Sequence, residues 1–243
     1  MSGLGDSIYH RPFIRKNICV HTKYPELFDG SFNCGREPDI STRYDSKSLI
    51  FNSIIGSIER FFPKYDTFKF DLPEFQKPNL GKYVVIRPPM LRTDFYAPAR
   101  NPNMQYISEA TQLAKEMGYT TVGVAYERDG VEYSDGPLPD VHIRYYDGQL
   151  DIPQLMGLIS GAAMVIGGPG WQVPAALAYK VPLCLIYGGA AKWNTLDKLT
   201  DPRMDLPAIH TIEPNEFCRC KNVTHQCNKE ISDFGNKFSA CLN

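Results

Sequence analysis

The sequence lacks several things, and each absence narrows what the chain can be. No apolar run approaches the ~20 residues that a membrane-spanning helix needs, in a chain of 243 residues that is 43% hydrophobic. The opening residues, MSGLGDSIYHRPFIRK, carry no hydrophobic signal core, so the chain is read as cytoplasmic. An excess of one charge is missing as well. The formal net charge is −1, which gives no global attraction to nucleic acid or to an anionic membrane; a local basic patch stays compatible with it. No G-x-G-x-x-G follows a strand, which argues against an NAD-dependent dehydrogenase, and the Gly-rich loop also lacks the lysine of a P-loop. There is no internal repeat and no low-complexity tract.

Cysteine is present at 7 residues, an odd count. Cys19 and Cys184 sit in strand-like runs, where cysteine acts as a small hydrophobe. Cys218, Cys220, Cys227 and Cys241 crowd the C-terminus with His225 among them. Zinc sites favour C-x2-4-C pairs, so this spacing leaves thiols, a disulfide formed on oxidation and a structural metal all open. In a reducing compartment thiols or metal ligands come first.

The segment 162–189, AAMVIGGPGWQVPAALAYKVPLCLIYGG, organises the rest. Residues 164–166 form an apolar strand. Gly167, Gly168, Pro169 and Gly170 make a turn, residues 172–179 an Ala-rich helix, and 181–187 a second buried strand. This is the pattern of a βαβ unit in a parallel sheet. A loop between strand and helix offers backbone N–H groups to an anion such as a phosphate; it also serves where helix and strand only need to pack closely.

Along the chain, Asp6 is placed to cap a helix from Ser7 onward. A strand is expected at 18–20 and a helix over 49–62, where Ile50, Ile54, Ile58 and Phe61 recur at helical spacing. Residues 63–81, charged and proline-containing, read as a linker. Strands at 83–86, 120–126 and 141–145 then alternate with helices at 103–117 and 151–159. That alternation predicts a doubly wound α/β layer with ligands at the carboxyl ends of its strands.

Three ordered stretches resemble one family. GLGDSIYHRPFIR resembles the start of the ADP-heptose:lipopolysaccharide heptosyltransferase-like enzymes, glycosyltransferase family nine. Gly5-Asp6 is followed by Pro12 six residues after the aspartate, then by Arg15. VIGGPGWQVPAALAYKVPLCLIYGG resembles the family's strand, loop, Ala-Ala-Leu helix, Pro-led strand and terminal glycine. FCRCKNVTHQCNKEIS is similar to a Cys-rich tail found before a short helix in many members. Similar short proteins occur in bacteriophage genomes, which leaves the acceptor open and, for a phage-encoded chain, implies the cytoplasm of the bacterial host.

The resemblance implies an α/β, GT-B-like fold: two Rossmann-like halves with parallel sheets, the N-terminal one reduced. Residues 1–80 would form the acceptor side, and 81–243 the nucleotide-sugar side with the Cys-rich tail. It implies an inverting transfer of a sugar from a nucleotide-sugar to an acceptor hydroxyl, with Asp6 as general base. No cofactor and no catalytic metal are required, the nucleotide-sugar being a substrate. A hydroxyl is a poor nucleophile, so a carboxylate within reach must take its proton. Arg87, Arg92 and Arg100 follow the first strand of the second half, where phosphates approach. Glu127 is placed for ribose hydroxyls, and Gly168, Pro169, Gly170, Trp171 and Gln172 for the donor. Gly5, His10 and Arg11 fall on the acceptor side; a solvated surface histidine is the plainer reading of His10.

The chain departs from the family in three places. No strand precedes Gly5-Asp6, so the N-terminal sheet lacks one, or another segment or a second subunit of a homo-oligomer supplies it. Gly167 and Gln172 stand where an aspartate and a histidine are common. The N-terminal half is short. Two other functions therefore stay open. One is a binding protein of the same fold without transfer; the other is a phage glycosyltransferase acting on nucleic-acid bases, which would need a basic groove.

Overall fold

Buried strands that read as continuous apolar runs set the architecture. In a computed structural model, residues 3–14, 20–28, 40–41, 53–62 and 67–242 are described. The centre is a six-stranded sheet, all of whose pairings are parallel. Its strands are β3 (Tyr83–Arg87), β5 (Thr120–Val124), β7 (Ile143–Tyr145), β8 (Met164–Gly167), β9 (Leu183–Ile186) and β10 (Ile209–Ile212), in the order β10-β9-β8-β3-β5-β7. Strand alternation sends successive side chains to opposite faces. Val85, Val165 and Leu185 enter one apolar cluster, whereas Val84, Ile166 and Ile186 enter the other.

Helices cover both faces. On one side lie α3 (Met104–Glu116) and α7 (Phe234–Leu242), with Tyr106 and Phe234 in ring contact at 4.9 Å. On the other lie α4 (Ile152–Ser160) and α5 (Gln172–Ala178), and the short α6 (Leu196–Leu199) follows β9. α4 begins with reciprocal capping: Asp151 accepts from Gln154 N at 2.7 Å, and the Gln154 side chain accepts from Asp151 N at 3.0 Å. The helices and strands expected over 83–187 are all present. Strand β10 and a short antiparallel ribbon of β4 (Met90–Arg92) and β6 (Glu132–Ser134) are additions.

The N-terminal region supplies α1 (Leu4–His10), a parallel pair β1 (Val20–His21) and β2 (Ile40–Ser41), and α2 (Ile54–Glu59). Much of the expected strand at 18–20 and the start of the expected helix at 49–62 lie outside the described residues. Ile8, Ile55 and Ile58 are buried in the cluster that also holds Val85, Val165 and the apolar face of α5. The described part of the expected linker, residues 67–81, is a packed strap. Gly157 has no Cβ because one would stand 2.2 Å from the Gln76 carbonyl, and Tyr179 donates its hydroxyl to Pro73 O at 2.7 Å. The strap thereby fixes α4 and α5, and with them the loop that opens α5. Among the described residues no helix is long and apolar enough to cross a membrane.

Candidate active site

The site lies where the sheet reverses its direction of growth. β3 pairs with β5 on one flank and β8 on the other. Loops leaving the carboxyl ends of two such strands diverge and open a crevice. Arg87 ends β3 and Gly167 ends β8, and the two are register partners. Their approach is close: a Cβ on Gly167 would stand 2.7 Å from the Arg87 carbonyl.

The loop from Gly167 to Gln172 is shaped from within. Gln172 is buried, and its amide donates to Gly168 O. Because that carbonyl only accepts, the NH2 must face it, and Oε1 is left without a hydrogen-bond partner among the described residues. Gly170 makes room for this amide, since a Cβ there would lie 2.4 Å from Oε1. Gly168 and Pro169 are buried, with Pro102 against Gly168, so Gly170 and Trp171 form the half-exposed part of the loop.

α1 brings Asp6 to this loop. Gly5 allows it: a Cβ at Gly5 would already be 3.2 Å from Trp171 Cα. The helix starts at Leu4 with Gly3 as its N-cap, so Asp6 is not the cap expected from the sequence. It is the third helical residue, and its carboxylate reaches back to accept Gly3 N at 3.0 Å. Burial pushes the Asp6 carboxyl above its ordinary 3.8, and the Gly3 hydrogen bond and the charges of Arg100 and Arg92 offset this only in part. A carboxylate so raised holds a proton better and is a stronger base toward a hydroxyl. Tyr24 lies in the same field, its hydroxyl raised by burial and by Asp6 and lowered by Arg92.

Arg87 completes the group. Its guanidinium is 5.9 Å from the Trp171 ring centroid, donates to Val124 O at 3.2 Å and pairs with Glu132 of β6. The structure thus gathers Gly5, Asp6, Arg92, Arg100, Arg87, Trp171 and the loop before α5 at one end of the sheet. Glu132 and Tyr24 join them unannounced. Glu132 stands in a polar stretch with no motif, and only the pairing of β6 with β4 reveals its place.

Three expected residues stand elsewhere. His10 is buried rather than solvated at the surface. Its Nδ1 is 2.7 Å from Asp6 O, and its ring meets Phe62 edge-on at 6.3 Å. Burial lowers its pKa from 6.5, so the ring is held neutral. Arg11 faces the strap and the chain before α2, donating to Asp71 O at 2.7 Å and Leu27 O at 2.8 Å. Glu127 is exposed and accepts from Ser134 at 3.1 Å.

The Cys-rich tail is corrected in one member. Cys241 lies on α7, buried, with its thiol donating to Lys237 O at 3.2 Å. His225 replaces it in the cluster: donor atoms of Cys218, Cys220, His225 and Cys227 lie within 4.8 Å of one another. His225 Nδ1 is 3.1 Å from Cys227 Sγ and 3.6 Å from Cys218 Sγ, and Cys220 Sγ is 3.5 Å from Cys227 Sγ. Tetrahedral ligands ~2.3 Å from a metal stand roughly 3.7 Å apart, so this donor set fits one ion. The loop is anchored beside the candidate site. Cys227 packs flush on Gly189, and Val223 O accepts from Ala99 N at 2.8 Å, one residue before Arg100.

No protein-family model matches the chain, and no curated protein does. Solved structures do. The bacterial iron-containing dodecameric glycosyltransferase TibC from enterotoxigenic E. coli H10407 superposes with a TM-score of 0.61 at 15% identity, covering 100% of this chain and 70% of TibC. A family 9 glycosyl transferase from Veillonella parvula DSM 2008 gives 0.50 at 10% identity, covering 94% of this chain and 68% of its own. The chain shares the fold of these glycosyltransferases. The likeness foreseen from the Gly5-Asp6 and Gly-rich stretches is therefore present at the level of architecture.

Proposed function

We propose that the chain is a glycosyltransferase that moves a sugar from a nucleotide-sugar to an acceptor hydroxyl with inversion. One observation carries this: Asp6, half-buried and raised, lies in the field of Arg92 and Arg100, and the residue before it, Gly5, packs on Trp171 of the loop that opens α5. A carboxylate there takes the acceptor proton as the acceptor oxygen bonds the anomeric carbon. The bond from that carbon to the diphosphate breaks on the opposite face, and its electrons leave with the diphosphate. Arg87 and Arg92 supply positive charge where that leaving group gains negative charge, so the transfer itself needs no metal. Trp171 offers a flat face for a base or sugar. The test is Asp6→Asn. It keeps binding of nucleoside diphosphates, seen as a thermal shift, and lowers turnover by about 100-fold or more. Unchanged turnover would remove Asp6 from the reaction.

We further infer that Cys218, Cys220, His225 and Cys227 hold one structural metal ion, iron or zinc by the softness of the donors and iron by likeness to TibC. When bound, it would cross-link a tail in which none of residues 218–230 is fully buried. Metal analysis of the purified protein decides this, with about one equivalent expected and none after Cys220→Ser.

A further inference from the structure

Glu132 has no part in the transfer as described, yet it pairs with Arg87, the last residue of β3. Its side chain and that of Arg87 are each only 11% exposed, and the two form an ion pair. Glu132 sits on β6, directly across the ribbon from Arg92 of β4. Removing a carboxylate from water is costly, so its presence beside a guanidinium meant for phosphate calls for a reason.

We propose that Glu132 sets the charge preference of the donor site, favouring the nucleotide-sugar over the nucleoside diphosphate product. This rests on the reading of Arg87 as a phosphate contact. A nucleotide-sugar carries one negative charge on each of its phosphates. When the bond to the sugar breaks, the released diphosphate gains a terminal phosphate that ionises once more, with a second pKa of about 6. An arginine alone would hold this more charged product more tightly than the substrate and slow its release. A buried carboxylate at the same guanidinium repels both ligands, and repulsion grows with the charge on the ligand. Glu132 therefore weakens the product more than the donor. It is a specificity-determining residue that touches Arg87 rather than the reacting atoms.

The experiment compares dissociation constants of ADP with ADP-glucose and of UDP with UDP-glucose, in the full chain and in Glu132→Gln. Glutamine keeps an acceptor for Arg87 and removes only the charge. The variant should tighten the diphosphate roughly tenfold and its sugar conjugate roughly threefold. Glu132→Asp, which keeps the charge, should hold the wild-type ratio. A ratio unchanged in Glu132→Gln, or both ligands weakened together, would overturn the proposal and leave Glu132 as a support for Arg87. The wild type offers a test that depends on no variant: ADP esterified with methanol on its terminal phosphate should bind at least as tightly as ADP. An ester tenfold weaker would also overturn it. Failure of the wild type to bind any of these nucleotides would instead strike at the glycosyltransferase reading itself.

Discussion

The Asp6 carboxylate accepts the backbone N–H of Gly3 at 3.0 Å, so the residue that opens α1 also orients the base proposed for catalysis. Burial makes this carboxylate harder to ionise in the folded chain than in the unfolded one. The folded protein then binds the proton more tightly, and Asp6 costs stability as pH rises above the ordinary 3.8 through the raised value. Asp6→Asn should therefore melt higher than wild type at pH 7, and the gain should shrink toward pH 4. The acid limb of turnover should have its midpoint above 3.8, because the base is lost once Asp6 is protonated. Melting curves and pH–rate profiles check both.

His10 reports on pH in the opposite sense. Its folded pKa is lowered below 6.5 by burial, so the unfolded chain takes up the proton first. Stability that is full above 6.5 is lost as pH falls through the lowered value. His10→Asn keeps a donor for Asp6 O without an ionisable ring, and it should flatten the decline in urea midpoint below pH 6.5. A decline as steep as in wild type would assign the acid sensitivity to other groups.

Gly167 tests how closely the two strand ends must approach. A methyl group there would come nearest to backbone, the Arg87 carbonyl at 2.7 Å, with Arg87 Cβ and Gln172 Nε2 both at 3.2 Å. Gly167→Ala should cost about 1–3 kcal/mol in urea unfolding and weaken nucleotide binding by displacing Arg87. A variant as stable as wild type would show that the β3–β8 junction can open.

The cysteines of the tail should sort into separate classes. Cys227→Ser removes a donor from the cluster and should abolish metal retention and lower the melting temperature. Cys241→Ser, on α7, should keep the metal. Loss of metal from both, or from neither, would contradict the assignment of His225 in place of Cys241.

Much of the sheet was legible because its strands are apolar on both faces and its helices have apolar faces at helical spacing. Val84 and Val85 are adjacent in sequence and enter opposite clusters, which only a strand buried on both sides allows. The short ribbon was not legible. Glu132 through Ser134 have no apolar run to mark them, and their pairing with Met90–Arg92 is long-range. His10 misled for a related reason. Its place in the sequence, one turn after Asp6, suggests a shared face, whereas Phe62 beyond α2 is what covers it.

The sequence by itself determined the alternation of strand and helix, the glycines at the strand ends and the Gly5-Asp6 pair, since these depend on local periodicity and backbone freedom. Only the tertiary structure decided that Asp6 is raised, that Arg87 is matched by Glu132, and that His225 rather than Cys241 joins the thiol cluster. Desolvation, charge pairing and donor spacing depend on which distant segments come to lie side by side. Here that is set by the strap across α4 and α5 and by the packing of α1 on Trp171.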